Sequence, residues 1–476
     1  MTNDHDHHFI SGALHPAHSQ ISIPVINPAT EEQFGSIVDG DETDVDHAVR
    51  SAESAGTAWA ALDPNERAEV LRRIADAFEV RSDEFSDLIS RQNGTPISIA
   101  RSMQSQVAVC YRYFADLAEG LTAEQYVKTA SGDALVRREP VGVVGAITPW
   151  NGPQPLIAWK LGPALAAGCT AVIKPAPETS LDAFMFADVL TKAGVPEGVV
   201  NIVTGGRETG AAVVGHPAVR KVAFTGSTAA GRAIAVECAS QFKPVTLELG
   251  GKSAGILLDD VDLEAFAPLV LTACAPNTGQ TCRALTRILA PASRYDEVVQ
   301  QLCDTLGSIP QGDPADPRNL FGPLVSGRQR DRVESYITLG RSEGAEVFLG
   351  GGRPDGLERG YYVEPTVFGR VSNSMRIARE EIFGPVVVVI PYATIDEAIA
   401  IANDSEYGLG GGVFSADIDR ATRVARQIES GSIGINTATL PIETPFGGVK
   451  NSGIGRELGP TSIDAYLEYK TIFRSV

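Results

Sequence analysis

One stretch of the chain has the residue types for covalent chemistry. Cys282 lies in Asn277-Thr278-Gly279-Gln280-Thr281-Cys282-Arg283, where Asn277, Gly279 and Gln280 favour a turn over the interior of a helix or strand. A cysteine on a tight loop can face a ligand, and its thiolate is the strongest nucleophile among protein side chains. Free cysteines are also among the most buried residue types. The alternative is therefore a structural thiol, and the choice turns on what else in the chain could serve the sulfur.

Histidine is scarce as a helper. Of the seven histidines, five (His5, His7, His8, His15, His18) precede residue 19, and only His47 and His216 remain. Neither sits in a motif, so cysteine–histidine and serine–histidine–aspartate chemistry are poorly supplied. Cysteines 110, 169, 238, 274, 282 and 303 form no CxxC pair, which argues against a zinc site, and no metal is expected. The helper of Cys282 should be a carboxylate, a lysine or the ligand itself. Glu248 is one candidate. It stands in VTLELGGKSAGILL, residues 245–258, inside an apolar run, where an acid is costly unless paired, coordinated or used. A salt-bridged structural acid is the alternative. Phe224-Thr225-Gly226-Ser227-Thr228 ends one expected strand and opens a helix, whose free N–H groups suit a pyrophosphate. A plain tight turn fits the same residues. Gly205-Gly206 is a weaker signal of the same kind.

These groups need elements to hold them. Residues 1–22 are polar and His-rich and are expected to form a flexible, solvated arm. Residues 43–120 look helical: Thr43 and Asp44 can cap a helix through Ala61, residues 64–93 carry apolar groups at helical spacing, Gly94-Thr95-Pro96 breaks the run, and another helix extends to Leu117. From 141 the pattern alternates. Strands are expected at Val141–Ile147, Thr170–Lys174, Val199–Val203 and Lys221–Phe224, with Ser180 capping a helix over 181–193 closed by Gly194. A second α/β series comes next, with strands at 386–391, 411–414 and 432–436 and helices at 395–403 and 417–429. Such alternation implies two doubly wound parallel-sheet domains, meeting near Gly250-Gly251, with ligands at the carboxyl ends of the strands. Ala465–Arg474 alternates like a strand. With 125–140 as its partner it reads as an element for pairing subunits, because it would otherwise leave an open edge.

Bulk properties exclude other classes. The 476 residues are 43% hydrophobic and 21% charged, ordinary for a soluble globular protein of two or three domains. A net charge of −19, from 40 basic and 59 acidic residues, argues against nucleic acid as a partner. No signal peptide and no membrane span of about 18 apolar residues is visible. Six scattered cysteines read as reduced thiols, so a cytoplasmic location is expected.

Taken together, the motifs resemble the aldehyde dehydrogenase superfamily from about Val25 to the C-terminus. The resemblance is carried by Thr148-Pro149-Trp150-Asn151, Lys174-Pro175, Phe224-Thr225-Gly226-Ser227, Glu248-Leu249-Gly250-Gly251-Lys252, Gly279-Gln280-Thr281-Cys282, Glu380-Glu381-Ile382-Phe383-Gly384-Pro385 and Pro445-Phe446-Gly447-Gly448, in family order. It implies oxidation of an aldehyde to a carboxylic acid with NAD, or NADP, through a thiohemiacetal and thioester on Cys282. Asn151 and the backbone N–H of Cys282 would form the oxyanion hole, Glu248 would be the general base, and Lys160 with Glu457 would carry protons from it. For the cofactor it implies Lys174 at the adenosine ribose, Ser227 at the pyrophosphate, Glu381 at the nicotinamide ribose and Phe383 nearby, with Thr148, Trp150, Gly226 and Gly250 in the same site. Gly152, Leu156, Trp159, Thr281, Arg283 and Phe446 match positions lining or flanking the substrate tunnel. Residues 1–124 and 141–250 would bind NAD(P), 251–448 would be catalytic, and 125–140 with 460–476 would join subunits into a homodimer or homotetramer.

One position departs from the family. NAD-preferring relatives often carry an acid three residues after the lysine; here that place is Pro177, and the acid is Glu178. The usual ribose clamp is then altered, and NAD use with some NADP activity is expected. Arg207 is a possible phosphate contact, a surface arginine the alternative. Glu248 speaks against a coenzyme A-acylating enzyme of the same fold, because it would activate water. Cys282, Asn151 and Glu248 together speak against a catalytically silent binding protein.

Overall fold

The computed structural model describes residues 3–130 and 132–474. Two sheets dominate. The first has eight strands, in the order Gly453–Ile454, Val245–Glu248, Val219–Thr225, Val143–Ile147, Thr170–Lys174, Val200–Ile202, His7–Ile10 and Ala13–Pro16. The five inner strands from Val245–Glu248 to Val200–Ile202 run parallel. The additions at both edges are antiparallel, so the sheet is mixed rather than uniformly parallel. Its inner strands are apolar because both faces are covered: Val143–Ile147 and Thr170–Lys174 are buried at every position. Each fully buried valine or isoleucine there contributes about 1.5–3 kcal/mol of burial.

The second sheet has seven strands, in the order Glu346–Leu349, Thr366–Gly369, Val386–Tyr392, Arg287–Pro291, Ala254–Leu257, Gly411–Phe414 and Gly434–Ile435. Only Glu346–Leu349 is antiparallel to its neighbour. A third sheet joins Leu467–Arg474 to Gly132–Pro140, and that strand to Glu124–Thr129. The expected pairing of the last strand with the 125–140 region is thus present, in register from Leu467↔Pro140 to Arg474↔Asp133.

Several local expectations are corrected. From Asn3 the N-terminal region is built into the fold instead of forming a free arm. Ser11 and Gly12 both take positive φ and close a hairpin whose Phe9 and Ile10 are buried. His8 is buried too, with Nδ1 accepting from the Thr204 N–H at 3.3 Å and Nε2 at 3.4 Å from Asp44. The first long helix is Glu42–Ala60, capped by Asp41 rather than Thr43 or Asp44. The Asp41 carboxylate accepts from the N–H groups of Thr43 and Asp44, while the Asp44 carboxylate accepts from the Asp41 N–H. Ser180 does not cap Leu181–Lys192; its hydroxyl donates backward to the Ala176 carbonyl at 2.8 Å. The helix expected at 417–429 stops at Ala425.

Candidate active site

Three neighbouring parallel strands end at the site. Register places Ile147 beside Phe224 and Thr225 beside Glu248, so the segments leaving all three strands emerge at one edge. Asn151 comes from the first, Gly226 and Ser227 from the second, and Glu248 ends the third. The strand Gly453–Ile454 pairs back onto Val245–Glu248, with Glu248 opposite Gly453, and so delivers Glu457 from the far end of the chain.

Cys282 arrives from the other sheet. The helix Leu263–Cys274 ends, and Asn277, Thr278 and Gly279 all take left-handed backbone, at φ 49, 56 and 75. Gly279 is obligatory here: a Cβ would stand 2.1 Å from the Gly384 carbonyl oxygen. Thr278 Oγ1 accepts from the Gly322 N–H at 3.0 Å, and Gln280 Oε1 from the Val325 N–H at 3.0 Å. Gly279→Ala is expected to strain this loop, with a stability loss of about 1–3 kcal/mol and a lower turnover. Thermal melts and initial rates on the purified variant check both; wild-type values for both would contradict a strained loop.

The loop and Asn151 hold each other. Asn151 Nδ2 donates to the Gln280 carbonyl at 2.9 Å, and Asn277 Nδ2 donates to the Asn151 carbonyl at 3.3 Å. One amide hydrogen is spent on this bracing, which leaves the second for a ligand. Cys282 is half-buried and, like Trp159 and Leu440, packs against the core that includes Phe446. Burial first, then the negative charges of Glu381 and Glu248, push its thiol up to about 12, opposed by Arg283.

Glu248 is buried, and neither carboxylate oxygen has a hydrogen-bond partner among the described residues. Burial first, then the charge of Glu457, drive its pKa well above the ordinary carboxylate value, while Lys160 and Arg456 oppose the shift. Room for it is made by Gly447 at φ 155, where a Cβ would meet Glu248 Oε1 at 2.5 Å. Behind it, Lys160 Nζ lies 2.7 Å from Glu457 Oε1 and donates to Thr225 Oγ1 at 2.5 Å, all buried.

Cys282, Asn151, Glu248, Glu457, Glu381 and Phe383 all open onto one cavity of about 1350 Å³. Trp150, Gly226, Ser227 and Gly250 share its wall, as do the tunnel positions Gly152, Leu156, Trp159, Thr281, Arg283 and Phe446. Trp159 and Phe446 meet edge to face at 5.6 Å, and Trp150 and Phe383 at 5.3 Å. Arg283 donates to the Ala438 carbonyl at 2.6 Å, the structural bond rather than a free charge. Five of the expected site residues stand outside the wall. Lys160 backs it through Glu457, and Thr148 is buried with its hydroxyl unpartnered among the described residues. Lys174 Nζ donates to the carbonyls of Gly205 and Gly206 at 2.6 and 3.2 Å, and burial lowers its pKa to about 8. Glu178 lies 3.4 Å from Arg328, and Arg207 is exposed. A separate surface cleft of about 410 Å³, between Asn27 and Tyr362, contains none of these groups.

The wall also fits a nucleotide. Ser227 caps the helix Thr228–Ser240 through the Ala230 N–H, and Ser227, Thr228 and Ala229 open onto the cavity, so first-turn N–H groups face it. Glu381 accepts from the Gly251 N–H at 3.0 Å through Oε1, and burial raises its carboxyl to about 7. Arg232, Arg328 and Arg332 also line the cavity, and the sequence gives no sign of them, because arginines without a motif carry no signal. Thr225, the Lys160 acceptor, reads in the sequence only as part of a turn.

The profile of the aldehyde dehydrogenase family matches residues 15–472. The chain belongs to the aldehyde dehydrogenase family. It is 49% identical to the geranial dehydrogenase of Castellaniella defragrans, with 99% of each chain covered. It is 41% identical to the chloroplastic betaine aldehyde dehydrogenase of Beta vulgaris, covering 98% of this chain and 95% of that one. Among solved structures, an aldehyde dehydrogenase of Mycobacterium tuberculosis complexed with NAD+ superposes with a TM-score of 0.97 at 44% identity, covering 99% of this chain and 98% of that one. A mutant of aldehyde dehydrogenase C from Pseudomonas syringae, complexed with NAD+ and octanal, gives 0.95 at 42%, covering 98% and 96%. The mixed α/β architecture is that of the family.

Proposed function

We propose that the enzyme oxidises a neutral, apolar aldehyde to its carboxylic acid with NAD+, through a covalent intermediate on Cys282. The observation that carries this reading is the convergence of thiol, amide and unpaired buried carboxyl group on one cavity. Cys282 Sγ, its thiol proton given up to solvent water, adds to the aldehyde carbon. The resulting oxyanion is met by the second Asn151 N–H and the backbone N–H of Cys282; one such donor is typically worth about 3–4 kcal/mol of barrier. A nicotinamide held beside Glu381 and Phe383 would supply the hydride acceptor, and loss of hydride from that carbon leaves a thioester on Cys282. Glu248 then removes a proton from water, which attacks the thioester, and the acid leaves. Glu457, Lys160 and Thr225 offer the displaced proton a route away.

The residues fit a dinucleotide. The first turn after Ser227 suits the pyrophosphate, and Glu381 a ribose hydroxyl, with Phe383 and Trp150 beside them. Lys174 and Glu178 sit at the adenosine end by this reading. Residues 1–124 and 141–250 form the cofactor-binding unit, 251–448 the catalytic unit, and 125–140 with 460–476 the oligomerisation strands. Exposed Tyr126, Tyr469 and Phe473 on that small sheet support assembly into a homodimer or homotetramer. The six unpaired cysteines support a cytoplasmic location.

The tunnel argues for the substrate class. Met103, Leu156, Trp159, Leu440, Ile442 and Phe446 line the cavity, and the geranial- and octanal-binding relatives point the same way. Burying about five extra methylenes at about 0.8 kcal/mol each favours a long apolar chain strongly. With NAD+, kcat/KM for octanal is expected to exceed that for betaine aldehyde by about a hundredfold or more, with NADP+ supporting slower but measurable turnover in the same assay. A preference for the cationic aldehyde would overturn the substrate class, and no NADP+ turnover would overturn the tolerance.

A further inference from the structure

Among the described residues, Asp182 is the one fully buried carboxylate near the site that the reaction does not use. It lies in the first turn of Leu181–Lys192, with no exposed surface. Its Oδ1 accepts from Gln92 Nε2 at 2.5 Å and its Oδ2 from Gln154 Nε2 at 2.5 Å. Both glutamines are fully buried, and the amide oxygen of each has no partner among the described residues. Burial pushes the carboxyl up to about 6 against these two hydrogen bonds, and no cation contributes. A buried acid held only by neutral amides is costly for the fold.

Its two partners flank the loop that carries Asn151. Gln154 is the second residue of the helix Pro153–Ala167, three positions beyond Asn151. Gln92 is the penultimate residue of the helix Ser82–Asn93, and its neighbour Asn93 donates Nδ2 to the Trp150 carbonyl at 3.0 Å. The end of one helix therefore grips the loop before Asn151 directly and after it through Asp182.

We propose that Asp182 is a positioning residue for the oxyanion hole: by bridging Gln92 to Gln154 it holds residues 150–154 so that the free N–H of Asn151 meets the substrate oxygen. The inference rests on Asn151 acting as the oxyanion donor. Loss of the bridge leaves two buried amides unpaired and frees the loop to shift, and a displacement of order 1 Å at a reacting group can cost about a hundredfold.

The test is a double-mutant cycle on the full enzyme, with octanal and NAD+ and with kcat referred to active sites titrated by cysteine alkylation. Asp182→Ala is expected to lower kcat about ten- to a hundredfold, with both KM values within about twofold. Asp182→Asn should recover most of the loss, because its amide accepts from one glutamine and donates to the free oxygen of the other after that side chain flips. In an Asn151→Ala background, Asp182→Ala should cost almost nothing more. Wild-type kcat per site in Asp182→Ala, with only a lower melting temperature, would overturn the proposal, as would a loss that adds in full to that of Asn151→Ala. If Asp182→Ala does not fold, Gln92→Ala, which removes one arm of the bridge, replaces it in the same cycle with the same expectations. If Asn151→Ala alone turns over like wild type, the oxyanion assignment fails and this proposal falls with it. A slow Asn151→Ala beside a normal Asp182→Ala removes only the positioning role.

Discussion

Cys282→Ala is expected to reduce aldehyde oxidation by about 10⁴-fold or more, because among the described residues Cys282 is the only cysteine that lines the cavity. Cofactor binding should persist, since the sulfur contributes nothing to the helix N-terminus at Ser227 or to the Glu381 carboxylate. Steady-state NADH formation and a fluorescence titration with NADH check the two halves. The resting thiol adds a sign. Burial raises its pKa far above neutral, so the free wild-type enzyme should react slowly with iodoacetamide at pH 7. That rate should rise about tenfold per pH unit between pH 6 and 9, since the deprotonated fraction does. Turnover surviving in Cys282→Ala would remove the covalent route, and rapid, pH-independent alkylation would remove the protonated resting state.

Glu248→Gln should separate the two halves of the reaction. The first hydride leaves before water is needed, so a pre-steady-state burst of about one NADH per site is expected, followed by a turnover slowed about 10²- to 10⁴-fold. The buried carboxylate also predicts a pH limb. Burial and the charge of Glu457 raise the Glu248 pKa, so its basic form is present above that raised value and is lost as pH falls through it. Wild-type kcat should therefore decline toward acid well above the ordinary carboxylate range, and glutamine, which cannot titrate, should abolish that limb. Stopped-flow absorbance across a pH series reads both. Equal slowing of burst and steady state would place Glu248 in acylation rather than hydrolysis.

Much of the architecture is set by local pattern. Thr170–Lys174 and the helix Ile395–Asn403 have the bounds that apolar runs and turn residues predict, because neighbours along the chain set those signals. The N-terminal hairpin is not legible in this way, because its burial comes from Val200–Ile202 and Thr204, nearly two hundred residues away. Nor is the cap at Asp41, because several acids and a threonine are equally plausible until backbone geometry chooses among them.

The site divides in the same way. Residue types and motif order determined by themselves which sulfur, amide and carboxyl group to bring together. Only the tertiary structure decided their condition: a thiol held protonated, a Glu248 carboxyl without partners, a Lys160–Glu457 pair joined across 297 positions, and an Asp182 bridge behind the Asn151 loop. Desolvation and hydrogen bonding sum over atoms delivered by remote segments, and that sum exists only once the chain has closed around them.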